Sequence, residues 1–255
     1  ARKGDLKIEG LLNLEVKVEK AVESPSQLQG ETFDLILLTV KAYQAAETAR
    51  QLTPLIFKAE TPILCLQNGL RVESEVRRAL KGLAPVVRGV SFLGALKEAS
   101  NRVRCTGFGA TLVADRPLPA LRDFIDTLKT FGLEAELKTN IEGVVWEKTL
   151  VNAGINPLGA LTGLKNGQLL EVEPLRELMA ETIREGLRVA LAHGVKLPSD
   201  PVELAFKVAK ATAENYNSML QDLRSGKRTE VDYINGAIVR LGVEAWISTS
   251  LHRTL

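Results

Sequence analysis

Between Phe33 and Val40 the chain runs Phe-Asp-Leu-Ile-Leu-Leu-Thr-Val and then meets Lys41. A nearly continuous apolar run of this length is what a strand buried on both faces looks like, and such strands belong to parallel sheets covered by helices. The pattern then repeats. Residues 42–53 are helix formers, and Pro62-Ile63-Leu64-Cys65-Leu66 is a second buried strand closed by Gln67-Asn68-Gly69. Residues 72–80 read as a helix and 85–92 as a third strand. Short strands at 102–105 and 110–114 flank Gly107 and Gly109, an amphipathic helix follows at 118–131, and 134–137 is a last short strand. Alternation of this kind predicts an α/β fold with a Rossmann-like, doubly wound parallel sheet.

After about residue 140 the strand signal stops. Residues 141–160, 174–193, 201–219 and 229–241 all read as helices, with Gly194 and Pro198 ending the second and Asp200-Pro201 opening the third. The expected organisation is an α/β domain over 1–139 and an all-helical domain over 140–255. The 33 basic and 31 acidic residues are interleaved, and aromatics make up only 5%. That argues against nucleic acid as a partner, which needs basic blocks and stacking platforms. No apolar run reaches transmembrane length, and Ala1-Arg2-Lys3-Gly4-Asp5 does not read as a signal peptide, so a cytoplasmic protein is expected. Two cysteines, Cys65 and Cys105, cannot build a disulfide framework, and with only His193 and His252 a histidine triad or a metal site is not expected. If the chain is an enzyme, lysine and carboxylates must move its protons.

One helix carries polar residues that its neighbours do not explain. In Trp146-Glu147-Lys148-Thr149-Leu150-Val151-Asn152-Ala153-Gly154-Ile155-Asn156-Pro157-Leu158, a lysine and two asparagines recur at steps of four. Four residues turn a helix by about 400°, so Lys148, Asn152 and Asn156 share nearly one face, either a solvated stripe or a surface built to hold something polar. Pro157 predicts a bend that swings Asn156 out of the regular helix. Ligands of open α/β sheets bind beyond the carboxyl ends of the strands. Two polar clusters lie there, Lys41-Ala42-Tyr43-Gln44 and Gln67-Asn68-Gly69. Lys41 can equally be an ordinary exposed lysine, and Asn68-Gly69 simply a turn. Downstream, Thr229 followed by Asp232 resembles a helix-capping pattern, with Glu230 a first-turn acid. That reading leaves the grouping of Ser218, Asp222 and Glu230 unexplained. The Gly-x-Gly-x-x-Gly dinucleotide fingerprint is absent from the chain.

Taken together, Val40-Lys41-Ala42-Tyr43-Gln44, Leu66-Gln67-Asn68-Gly69, Trp146-Glu147-Lys148 with Asn152 and Asn156-Pro157-Leu158, Lys165-Asn166-Gly167, Ser218-Met219-Leu220-Gln221-Asp222 and Arg228-Thr229-Glu230-Val231-Asp232-Tyr233-Ile234-Asn235-Gly236 resemble the ketopantoate reductase family, in its order and nearly its spacing. The resemblance implies a nucleotide-binding domain, a helical domain and a site in the cleft between them. It also implies NADPH-dependent reduction of ketopantoate to pantoate on the way to pantothenate and coenzyme A, with a homodimer as a possible assembly. By the resemblance Lys148 and Glu230 are catalytic. Lys148, Asn152, Asn156, Asn166 and Ser218 contact substrate, while Lys41, Gln44, Asn68, Ala95 and Glu230 contact the cofactor. Asp222 matches a residue near the site without a settled role. The chain departs from the family at its start, where the first strand, glycine-rich loop, first helix and second strand are expected and not found. It also departs at Glu244–Ser250, with serines where prolines are usual and Trp246 where glycine is usual. Reduction of another 2-oxo acid, or a non-catalytic metabolite-binding relative, are the alternatives.

Overall fold

The structure is a computed structural model describing residues 5–53, 55 and 61–255; of the opening stretch Ala1–Asp5, only Asp5 is among them. The chain divides into two compact units. The first comprises Ala1–Val40, Gln44–Gln67 and Glu73–Ile141, and the second Lys41–Tyr43, Asn68–Val72 and Glu142–Leu255. Two short segments that follow strands of the first unit therefore count with the second.

Among the described residues the first unit holds nine strands: β1 (Leu6–Gly10), β2 (Leu14–Val16), β3 (Ile36–Leu38), β4 (Ile63–Cys65), β5 (Val86–Ser91), β6 (Gly94–Ala99), β7 (Arg102–Gly107), β8 (Thr111–Ala114) and β9 (Ala135–Lys138). Its helices are α1 (Ala42–Leu52), α2 (Val72–Leu80) and α3 (Pro119–Thr130). A five-stranded sheet runs β3-β4-β5-β8-β9, and a four-stranded sheet runs β2-β1-β7-β6. Strands β3, β4 and β5 are parallel, as the apolar runs predict, and Ile63, Leu64 and Cys65 of β4 are fully buried. Burial pushes the Cys65 thiol up to about 12, so it stays protonated and inert. The sheet is Rossmann-like with one departure: β8 runs antiparallel to β5, and β9 is again parallel to β8. Between β5 and β8 the chain makes only the β6–β7 hairpin, without the crossover helix that a parallel return needs. Strands β1, β2 and β6 were not anticipated.

The second unit is all-helical: α4 (Ile141–Thr162), α5 (Gln168–Glu171), α6 (Glu173–Ala192), α7 (Pro201–Ala211), α8 (Ser218–Arg224), α9 (Asn235–Glu244) and α10 (Ser250–Thr254). Among the described residues no helix is long and apolar enough to cross a membrane. Helices α4 and α6 approach at small residues. A Cβ on Gly154 would sit 2.7 Å from Ile183 Cδ1, and one on Gly186 would sit 2.5 Å from Leu150 Cδ2.

Three helix expectations need correction. The helix expected over 201–219 stops at Ala211. The carbonyls of Ala213 and Asn215 accept instead from Gly167 N and Asn166 N, and Asn217 caps a new helix by accepting from Leu220 N at 3.0 Å. The helix expected from Thr229 starts at Asn235, after a 3-10 turn over Val231–Tyr233. Asp232 is not part of a capping box, because it accepts from Arg228 Nη2 at 2.9 Å. Finally, α4 continues through Pro157 to Thr162, so Asn156 is a helical residue and is not swung out of the helix.

Helix α10 docks through buried polar groups. Glu185 of α6 accepts from Ser250 Oγ (3.3 Å), Leu251 N (3.2 Å) and His252 N (3.0 Å), satisfying a helix start that its own N-cap residue leaves open. His252 is 2% exposed, and burial drives its imidazole down to about 4 despite Glu185 nearby. Above pH ~6.5 it is neutral folded and unfolded; below that only the unfolded chain takes up the proton readily. Stability should therefore fall as pH drops from about 6.5 to about 4, by roughly 3 kcal/mol for this group. Denaturant titrations at pH 7 and 4.5 should show that His252→Gln loses less stability over this range than the wild type. Equal losses would refute the assignment.

Candidate functional site

The carboxyl ends of β3 and β4 deliver Lys41 and Asn68, and the segment before α9 delivers Glu230. All three belong to the helical unit. Glu230 is 7% exposed, and its Oε1 accepts from Ala42 N at 3.0 Å while Oε2 accepts from Asn68 Nδ2 at 3.1 Å. Ala42 is the first residue of α1, so the carboxylate sits where a helix start favours negative charge. Lys41 Nζ lies 2.5 Å from Asp222 Oδ2 and 4.0 Å from Glu230 Oε2. The first-turn reading of Glu230 and the ordinary-surface reading of Lys41 therefore both fail. One ammonium shared by two largely buried carboxylates lessens the desolvation cost of all three.

The turn reading of Asn68-Gly69 and its site reading both hold. Gly69 has φ +89, and it brings the backbone against the 3-10 turn, with Leu70 N donating to Tyr233 O at 2.9 Å. A Cβ at Gly69 would collide with that same carbonyl oxygen. Gly69→Ala thus combines left-handed strain with a backbone clash, and should cost about 3 kcal/mol or undock the segment. Chemical denaturation measures the first outcome, and hydrogen exchange at the Leu70 amide reports the second. Further along this segment, Arg71 grips Glu244 through two 2.7 Å hydrogen bonds. The Arg228 guanidinium stacks 4.9 Å above the Tyr43 ring.

On α4, Lys148 and Asn152 are half-buried and Asn156 is 5% exposed, so the row is not a solvated stripe. Beside it, Glu147 is tied to structure, accepting from Ser199 N (2.8 Å) and Oγ (2.7 Å). Asn166 is buried and donates Nδ2–H to Thr212 Oγ1 at 2.9 Å, while its Oδ1 has no partner among the described residues. Ser218 is exposed at the first position of α8. Gln44, in the first turn of α1, and Ala95, paired with Cys105 at the start of β6, are exposed and lie in the other unit. Of the expected site residues, then, Lys41, Asn68, Asp222 and Glu230 form one bonded cluster, and Lys148, Asn152 and Asn156 form one helical row. The Lys41–Asp222 pair was missed in the sequence, as were the contacts of Tyr43 and Arg71. Lys41 and Asp222 are 181 positions apart, and no local spacing signals such a pairing.

Comparison with known proteins gives consistent results. Residues 2–117 match the family described as ketopantoate reductase PanE/ApbA, and residues 140–255 match its C-terminal part. A 2-dehydropantoate 2-reductase of Pyrococcus horikoshii is 37% identical over 241 residues, covering 93% of this chain and 77% of the relative. The crystal structure of a PanE/ApbA family ketopantoate reductase from Ralstonia eutropha superposes with a TM-score of 0.88 at 30% identity, over 98% of this chain and 81% of that one. A D-mandelate dehydrogenase in ternary complex with NADH and anilino(oxo)acetate superposes with a TM-score of 0.84 at 25% identity, over 98% and 81%.

Proposed function

The chain belongs to the ketopantoate reductase family, and from that premise we propose that it reduces 2-dehydropantoate to pantoate with NADPH, a step of pantothenate and coenzyme A synthesis. The observation that carries the reading is the α4 row, in which Lys148, Asn152 and Asn156 share one face of a helix whose other residues are mostly apolar. The first unit is assigned to the dinucleotide and the helical unit to the substrate. A cytoplasmic homodimer completes the proposal.

A 2-oxo acid that receives a hydride gathers negative charge on its carbonyl oxygen. The Lys148 ammonium can stabilise and then protonate that oxygen. Asn152, Asn156 and Asn166 offer donors and acceptors for a substrate that carries one hydroxyl and gains another. Ser218 is placed on the substrate carboxylate. Lys41, Gln44, Asn68, Ala95 and Glu230 are assigned to the cofactor. The fit rests on an ammonium and an amide donor set at the carboxyl ends of two parallel strands, where such sheets bind nucleotides. When bound, NADPH supplies the hydride. The negative charge of Glu230 is assigned to orienting cations at the site.

The test is to follow NADPH oxidation with ketopantoate, 2-oxoisovalerate and benzoylformate as competing substrates. The proposal expects the highest kcat/KM for ketopantoate. The likeness to D-mandelate dehydrogenase favours a second reading, a reductase for a 2-oxo acid with another side chain, and preference for benzoylformate would establish it. Asn68→Ala should raise the cofactor KM about tenfold and leave the ketopantoate KM near wild type, the loss expected when one hydrogen bond to the cofactor, of roughly 1.5 kcal/mol, is removed. Equal effects on both constants would contradict the assignment of Asn68 to the cofactor.

A further inference from the structure

Pro157 lies inside α4. Proline has no N–H, so the carbonyl four residues earlier, Ala153 O, loses its helical donor. That carbonyl sits in the turn between Asn152 and Asn156, the two amides of the substrate row. Its vacancy is filled from another helix: Asn235, 1% exposed at the start of α9, donates Nδ2–H to Ala153 O at 3.2 Å. The same amide nitrogen lies 3.1 Å from His252 Nδ1 of α10. Because the amide nitrogen only donates, Nδ1 is the acceptor and the imidazole proton sits on Nε2. The Ala153 carbonyl sets the orientation of the amide, since flipping it would bring its oxygen against that carbonyl. His252 in turn is fixed through its backbone N–H to Glu185 at 3.0 Å.

We propose that Asn235 is a positioning residue for the reaction. It closes the proline gap in α4 and so holds Asn152 and Asn156 in register with Lys148, with His252 orienting its amide. A proline-containing helix whose freed carbonyl finds no donor bends at that point. Here the helix continues unbroken for five residues past Pro157, to Thr162. The side-chain hydrogen bond of Asn235 goes to the α4 backbone at Ala153, so its influence reaches the substrate row through that backbone. The inference rests on the assignment of the α4 row to the substrate.

The experiment is a kinetic double-mutant cycle on the protein, using Asn235→Leu, Pro157→Ala and the pair together, with ketopantoate and NADPH as probes. Pro157→Ala returns an N–H to position 157, which can bond Ala153 O without help from Asn235. Asn235→Leu should lower kcat/KM for ketopantoate at least tenfold and leave the KM for NADPH within twofold of wild type. Adding Pro157→Ala should recover at least fivefold of that loss, a rescue that a role in packing alone would not produce. If Asn235→Leu fails to fold, Asn235→Ser, which is smaller and cannot reach the carbonyl, takes its place in the cycle. Wild-type kcat/KM in the single variant, or no recovery in the double variant, overturns the positioning role and leaves the reductase reading intact. A wild-type protein that does not turn over ketopantoate overturns both.

Discussion

Lys148→Ala should lower kcat for ketopantoate by about 10³–10⁵-fold while leaving the KM for NADPH near its wild-type value. The range follows from the two roles assigned to one ammonium. General-acid assistance contributes about 10²–10⁴-fold, and stabilisation of a developing oxyanion about 10²–10³-fold. Groups that act as a unit are not additive, so the combined loss falls short of the product. No other residue of α4 can substitute, because Lys148 is its only cation. Lys148→Arg refines the test. Guanidinium keeps the charge but does not release a proton at neutral pH, so it should recover substrate binding more than rate. Steady-state kinetics on the three forms, with cofactor binding followed by NADPH fluorescence, decide the matter. Turnover of Lys148→Ala within tenfold of wild type would remove Lys148 from the chemistry.

How much of this was visible in the sequence depended on whether each signal was local. The buried strands β3, β4 and β5 were legible because burial on both faces leaves a continuous apolar run. Strand β1 escaped notice although Leu6-Lys7-Ile8-Glu9 alternates, because its partners are the three-residue strand β2 and, nearly a hundred residues on, β7. Strand β6 is almost wholly exposed and carries lysine and glutamate, so its hydropathy resembles a loop. The break between α7 and α8 is tertiary: carbonyls that would have continued the helix are taken by Asn166 and Gly167. The site divides in the same way. The Lys148–Asn152–Asn156 row is a spacing and could be read directly, whereas the meeting of Lys41, Asp222 and Glu230 is created by the fold. The donor to Ala153 O is of the second kind: the sequence announces that Pro157 frees a carbonyl, but not that Asn235 will satisfy it.

Glu230 can be tested for a role in catalysis apart from its role in holding the cluster together. Glu230→Ala strands three groups: the Ala42 N–H at a buried helix start, the Asn68 amide, and a Lys41 ammonium left with Asp222 alone. A buried donor without an acceptor costs about 1–3 kcal/mol. The lysine adds less than a fully buried charge would, because its side chain keeps 33% of its exposure and water screens it. A loss of about 3 kcal/mol in stability and at least 10²-fold in kcat/KM is therefore expected. Glu230→Gln divides the two contributions. Its carbonyl oxygen can still accept from Ala42 N or from Asn68, but its amide end turns a donor toward donors, and the negative charge is gone. Stability should return to within about 1–2 kcal/mol of wild type, since one of the two hydrogen bonds is kept. The rate should not return, because a neutral amide cannot orient a cation as a carboxylate does. If Glu230→Gln regains both, Glu230 is a cap on α1 and a tether for Asn68 and nothing more, and proton handling falls to Lys148 alone.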